Sequence, residues 1–501
     1  MKATAMVSRT ARGLLLAASL FVTGCAAVGP DYVPPSVPMP TAWSSDLPEG
    51  VGAGEAELLE WWTLFEDPVL SGLIDRASRG NLDLRAAVSR IDEARAMLGV
   101  ARGARLPRID ADASYSRSRQ SSESSLGGKT LGDLVSVTDV DTYATALGAG
   151  WELDVFGRVR RSVESSHANW QASVEDYGGV LVALRGEVAL VYIETRALQS
   201  RIAIAERNVD AQRASRDIVR QRREAGTAPG LELAQADANV ASTEAALPQL
   251  RAQLRLATNR LSVLLGEHPG TLEGELGSPT PVPSPPENVL VSIPADLLRK
   301  RPDIRRAERL LAAQTARVGV ATADLYPRLS LSGVFGFSAQ SPGDLFQASS
   351  RTFGVGPSLV WNVFSGGSVR STIDVEDARV EQALVVYEQT VLRALEDVES
   401  ALTSYGHERT RNTSLRSAVE AYRRAVGFAE DLYKGGKTDF QNVLDAQRNL
   451  LAFEDQLATS NAALVEHLVA MYRAMGGGWS AGQQQRNADA PSDEGERGER
   501  K

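Results

Sequence analysis

The stretch from Arg158 to Glu224 constrains the fold more than any other part of the chain. It contains no proline. Its apolar residues recur at spacings of three and four: Leu181, Leu184, Val188, Val191, Leu198, Ile202, Ala205 and Val209. Charged residues such as Glu187, Glu194, Arg201, Glu206, Arg207 and Asp210 fill the other faces. That period is helical and close to a heptad repeat. About 66 residues rising about 1.5 Å each predict a rod on the order of 100 Å long. Ordinary globular helices run to about 12 residues, so this one needs partner helices along its whole length to bury its apolar stripe. Gly178, Gly179 and Gly186 interrupt the pattern. Each costs about 1 kcal/mol relative to alanine. They mark either close helix–helix approaches or a local break.

The N-terminus reads as an export signal. Lys2, Arg9 and Arg12 precede an apolar run from Gly13 to Val22, which is too short to span a bilayer as a helix. Val22-Thr23-Gly24-Cys25 follows, with the only cysteine of the chain. A lone cysteine forms no internal disulfide. Small residues before it resemble a bacterial lipobox, which implies cleavage after residue 24, a covalent lipid on Cys25 and, with Ala26 next, the outer membrane. Residues 25–59 are then a proline-rich tether.

A helical region from Glu60 to Arg105 opens with Trp61-Trp62, which suits a packing anchor better than a ligand-stacking site, and ends at Pro107. The period then changes to two. Ile109, Ala111, Ala113 and Tyr115 alternate with Asp110, Asp112, Ser114 and Ser116; Tyr143, Leu147 and Trp151 alternate with Ala144, Gly148 and Glu152. Each stretch has the length of a membrane β-strand, and a soluble hairpin is the alternative. The long helix follows, closes at Gly226-Thr227, and a return helix runs from about Leu231 to Leu265, bent or interrupted at Pro248.

This order then repeats about 210 residues later, a strong sign of duplication. Tyr326-Pro327-Arg328-Leu329 echoes Leu106-Pro107-Arg108-Ile109, and Leu359-Val360-Trp361-Asn362 echoes Trp151-Glu152-Leu153-Asp154. Gly435-Gly436-Lys437 echoes the first turn. The expected organisation is repeat 1 over 60–266 with strands near 108–118 and 142–155 and a long helix near 158–225. A proline- and glycine-rich linker covers 267–293. Repeat 2 spans 294–476 with strands near 328–338 and 352–364 and a long helix near 368–435. A disordered tail covers 477–501. Four strands cannot close a barrel, and open edges in lipid cost several kcal/mol per unpaired backbone group, so several chains must share one barrel. Three chains would supply twelve strands, although dimers and tetramers also give even counts.

Composition agrees. Charged residues make up 23% and aromatics only 6%, and the net charge is −9. No run of like charge suggests a nucleic-acid surface. The four histidines are scattered, and no phosphate loop or nucleophile–base constellation is present, so neither enzyme activity nor a cofactor beyond the lipid is expected.

Three stretches carry a family resemblance: Ile293-Pro294-Ala295-Asp296-Leu297-Leu298-Arg299-Lys300-Arg301-Pro302-Asp303-Ile304, Trp61-Trp62-Thr63-Leu64-Phe65-Glu66-Asp67-Pro68, and Leu444-Asp445-Ala446-Gln447-Arg448. They closely resemble the outer-membrane efflux proteins, the TolC/OprM-like outer membrane factors, and the lipobox points to their NodT-like lipoprotein branch. The resemblance implies a mixed fold of membrane β-barrel plus long α-helical barrel, built as a homotrimer with a shared twelve-stranded barrel among outer-membrane lipids. It implies an exit duct in a tripartite pump with a periplasmic adaptor and an inner-membrane proton-driven transporter. The tip turns at Gly226, Thr227, Gly435, Gly436 and Lys437 would meet the adaptor. A periplasmic gate would use Asp445, with Asp439 and Phe440 as further candidates by position. A ring of carboxylates around one axis can repel or bind ions; a solvated helix face is the alternative for Asp439. Gln235 occupies the position of Asp445 in the first repeat. Two other readings compete: the duct of an ATP-driven protein secretion system, and a periplasmic adaptor lipoprotein, which needs neither a barrel nor two hairpins.

Overall fold

A computed structural model describes residues 27–44, 47–54, 59–119, 139–286 and 289–480. The signal segment 1–24, the lipid-attachment candidate Cys25 and the tail from Ala481 lie outside the described residues. In chain order the elements are β1 (Val51–Ala53), a 3-10 turn at Trp61–Phe65, α1 (Pro68–Gly80), α2 (Leu82–Gly103), β2 (Arg108–Ser118), β3 (Val140–Leu153), α3 (Arg158–Glu224), α4 (Gly230–Leu264), α5 (Glu273–Leu276), β4 (Val289–Val291), α6 (Leu297–Lys300), α7 (Pro302–Ala323), β5 (Arg328–Ala339), β6 (Arg351–Val360), α8 (Ser368–Lys434) and α9 (Phe440–Ala474). α3 and α8 are each 67 residues long. Among the described residues, no helix is long and apolar enough to cross a membrane.

The chain divides into two compact units. Of the described residues, one holds those within 27–35, 92–171 and 308–385, and the other those within 36–91, 172–307 and 386–480. The first contains an antiparallel sheet in the order β2-β3-β5-β6. Its register sets Ile109 beside Ala149, Ala149 beside Gly333 and Gly333 beside Val355. Directly paired residues share a face, and alternate residues switch faces. One face therefore carries Ile109, Tyr115, Leu147, Trp151, Leu331, Phe335, Phe353, Val355 and Leu359. The other carries Asp110, Asp112, Ser114, Gly148, Glu152, Ser330, Ser332, Gly354 and Ser358. The apolar face is exposed in the single chain: Phe353 is 82% and Val355 78% accessible. Trp151 Nε1 donates to Arg105 O at 2.9 Å, and Trp361 Nε1 donates to Leu325 O at 3.0 Å. Trp361 is thus the counterpart of Trp151, which corrects the sequence alignment of Trp151 with Leu359.

The second unit is held by buried aromatics. Trp61 is fully buried and stacks on Tyr472, with centroids 5.6 Å apart. Arg185 lies over Trp62. The tryptophan pair is therefore a packing anchor. Asp67 caps α1 by accepting from the Val69 and Leu70 N–H groups, and also accepts from the Tyr192 hydroxyl at 2.6 Å. The α3 stripe is buried as its period requires, from Leu181 through Val188 and Val191 to Val209.

Several sequence expectations change. The first helical region is broken at Asn81, whose Oδ1 accepts from Leu84 N while its Nδ2 donates to Leu264 O. At the start of the second repeat, Arg301 likewise separates α6 from α7. α4 runs through Pro248 without interruption. The linker 267–293 is packed rather than free: it contains α5 and β4, β4 pairs in parallel with β1, and Leu272, Leu276, Val289 and Val291 are buried. The order past residue 477 extends further than expected, because the Gly478 carbonyl accepts from Arg185 and Trp479 is buried. A Cβ on Gly178 would stand 2.6 Å from the Trp479 ring, and one on Gly186 would stand 2.0 Å from Arg473, whereas Gly179 faces open space. Two of the three helix glycines thus serve close approach, and none breaks α3.

Candidate functional site at the hairpin tips

Each long helix ends in the same glycine turn. After α3, Thr227 N donates to Arg222 O and Gly226 N to Arg223 O, with Gly226 at φ +74°. After α8, Lys437 N donates to Leu432 O and Gly436 N to Tyr433 O, with Gly436 at φ +65°. These 6→1 and 5→2 bonds satisfy carbonyls that the helix end leaves unpaired, and the positive φ needs glycine. Thr227 Oγ1 adds a bond to Arg222 O at 2.9 Å. Gly226, Thr227, Gly435, Gly436 and Lys437 are all exposed on these turns.

Just inside the turns, the two hairpins share one apolar cluster of Val219, Ala236, Tyr433, Phe440, Val443 and Leu444. A polar latch lies across it. Arg222, at the end of α3, donates through Nη1 to Tyr433 O at 2.5 Å. Its guanidinium also lies 4.5 Å from the centroid of the Tyr433 ring. It thereby covers a carbonyl at the negative end of α8 and the electron-rich face of the ring. The Tyr433 hydroxyl donates to Glu232 Oε2 at 2.6 Å. Burial first, and then this bond to Glu232, push the phenol's pKa well above its ordinary range, so it remains a proton donor. Three elements, α3, α8 and α4, are tied through one tyrosine.

A second polar layer follows. Buried Gln447 donates to Ser215 Oγ at 2.8 Å and to Glu430 Oε1 at 3.1 Å, and Arg448 donates to Asn239 Oδ1 at 3.0 Å. Ser215, Glu430, Gln447 and Asn239 come from α3, α8, α9 and α4, so this layer also joins both hairpins.

The sequence-derived gate residues separate into two kinds. Asp445 is exposed on α9, and its Oδ1 accepts from Gln441 Nε2 at 2.9 Å. Asp439 is exposed at the N-cap of α9, with no capping bond from its side chain. Phe440 is different: it is 1% accessible and packs on Tyr433 at 5.2 Å. Within the single chain it is a core residue of the tip cluster, unlike the two exposed aspartates. Arg222, Glu232 and Tyr433 escaped the sequence reading. Their only local signal is an arginine and a tyrosine in the last turns before the two glycine turns. Among the described residues, no group of three or more His, Cys, Asp or Glu side chains is placed to hold a metal ion.

Residues 73–267 and 293–477 match the model of the outer membrane efflux protein family, one match in each repeat. Nodulation protein T of Rhizobium leguminosarum bv. trifolii is 30% identical over 464 residues, which cover 92% of this chain and 96% of that protein. Outer membrane protein OprJ of Pseudomonas aeruginosa is 31% identical over 94% of this chain and 96% of its own. The solved outer-membrane channel OprN superposes with a TM-score of 0.81 at 38% identity, covering 91% of this chain and all of that one. The chain belongs to the outer membrane efflux protein family.

Proposed function

We propose that the protein is the outer-membrane exit duct of a tripartite efflux pump, a passive conduit for small molecules rather than an enzyme. One observation carries this reading: a four-stranded sheet, apolar on one face and small or polar on the other, ends in two edge strands, β2 and β6, each paired on one side only among the described residues. In lipid such edges have no water to bond, so they must meet edges of other copies. Three chains would close twelve strands around a lumen lined by Asp110, Asp112, Ser330, Ser332 and Ser358, with the apolar face against the bilayer. The helical hairpins would then form the periplasmic conduit, closed at its tips. Asp445 and Asp439, being exposed near the tips, are two of the carboxylates available to line that closure. The turns at Gly226-Thr227 and Gly435-Gly436-Lys437 would receive the periplasmic adaptor. A proton-driven inner-membrane transporter would supply the energy, and a lipid on Cys25 would add a second anchor.

The test is in-cell photo-crosslinking from Thr227 and Lys437, followed by purification and mass spectrometry, with heat-dependent gel mobility to report the trimer. Recovery of an adaptor and a proton-driven transporter is expected. Recovery of an ATP-driven exporter would replace this reading with protein secretion, and repeated capture of no inner-membrane partner would overturn the tripartite assignment.

A further inference from the structure

In the second unit, a cavity of about 270 Å³ lies between α3, α8 and α9 and is closed on one side by the strap 281–285, where three of five residues are proline. Its charge is unusual for this chain. The whole sequence carries −9, yet three guanidiniums, Arg207, Arg416 and Arg423, line the cavity against one carboxylate, Glu454.

That carboxylate is already engaged. Glu454 Oε1 accepts from Arg423 Nη2 at 2.7 Å and Nε at 3.1 Å, and its Oε2 accepts from Asn208 Nδ2 at 3.0 Å. Arg416 uses only its Nε, toward Asn412 Oδ1 at 2.8 Å. Arg207 has no hydrogen bond or ion pair with any described residue. Two cationic forks therefore line one cavity with their terminal N–H groups uncommitted. Like charges so placed repel, and a guanidinium fork matches a pair of oxygens better than a single spherical ion. The remaining wall carries no charge: Ile204, Val282, Leu457 and the prolines are apolar, and Ser200, Ser284 and Asn461 are polar but neutral.

We propose that this cavity binds a small multivalent oxyanion, bridged between Arg207 of α3 and Arg416 of α8. The bound anion would tie the long helix of the first repeat to that of the second beneath the proline strap, well away from the tip latch.

The experiment is isothermal titration of the detergent-solubilised full-length protein with inorganic pyrophosphate, free of divalent cations and at fixed ionic strength. Saturable binding at one site per chain is expected, weakening as sodium chloride rises. Arg207→Gln and Arg416→Gln should each weaken it about tenfold, in keeping with loss of one charge-assisted contact. The double variant should abolish it. Arg213→Gln, which removes a guanidinium already paired with Glu244, should leave it unchanged. Thermal unfolding supplies the second readout: pyrophosphate should raise the wild-type midpoint and not that of the double variant, while the two midpoints match without ligand. Absence of binding at millimolar pyrophosphate, or equal affinity in the double variant, would overturn the proposal.

Discussion

Replacing Tyr433 by phenylalanine isolates the latch from the packing around it. The ring stays in the apolar cluster and under Arg222, and only the O–H donated to Glu232 is lost. Hydrogen bonds to a charged partner contribute about 1.5 to 3 kcal/mol. Glu232 is partly exposed, so water replaces some of what it loses, and the lower end applies. About 1.4 kcal/mol is a tenfold change in an equilibrium constant. If the latch holds the tip closed, Tyr433→Phe should raise open probability in planar bilayers roughly tenfold. Glu232→Gln should do about the same, and the double variant should add little, with a coupling energy on the order of 1 kcal/mol. The wild-type latch should also persist in base. Because the folded phenol lies above its ordinary 10.0, the stabilisation is complete below that value and fades only as pH climbs through the raised folded one. Fully additive effects, or no effect of Tyr433→Phe on gating, would refute the latch.

Asp445→Ala should raise ion conductance of the closed channel, because it removes an exposed carboxylate next to the tip; conductance unchanged across the pH range would remove Asp445 from the gate. Gly178→Ala should lower the thermal midpoint, since its Cβ would collide with the rigid Trp479 ring. Gly179→Ala meets open space and should instead gain up to about 1 kcal/mol of helix propensity. Burial, reinforced by the Glu194 charge, raises the Glu466 carboxyl above its ordinary 4.5. A raised folded value favours the native state in acid, and that advantage is lost as pH rises through it. Glu466→Gln should therefore raise the thermal midpoint at pH 8 and leave it nearly unchanged at pH 4.

The two periodicities in the sequence made the large elements legible. A run without proline and with apolar residues at three- and four-residue spacing leaves α3 few alternatives, and strict alternation in Ile109–Ser116 shows which side chains share a face. What stayed hidden depends on partners distant in sequence. β1 and β4 are three residues each, and Val51 pairs with Val289 from the far end of the first repeat. No window of periodicity reports such a strand, so the segment around it reads as a linker. Asn81 breaks a helix because its amide reaches Leu264, and Gly178 tolerates no side chain because Trp479 returns from the end of the chain. The burial of Phe440 was equally hidden, because position along the helix does not say which way a residue faces. Its neighbours Tyr433, Val443 and Leu444 turn it inward.

The latch is not repeated between the two hairpins. The two turns match at Gly226 and Gly436, yet the residues beside them do not. Where the first repeat has Arg222, the second has Leu432; where the second has Tyr433, the first has Arg223. Glu232 corresponds to Asn442, and Phe440 to Gly230. Each hairpin therefore holds one half of the contact: guanidinium and carboxylate on the first, phenol and packing ring on the second. Two identical hairpins could not make it, because neither copy would hold both the donor ring and its charged partners. Duplication supplied the turn geometry, which needs only glycine at positive φ, and divergence supplied the complementarity. The corresponding positions cannot form a second copy of the latch, since Leu432 and Asn442 carry no charge. A change on either hairpin alone is then enough to release the tip, so a partner that reaches only one of the two turns could still bias the closed state.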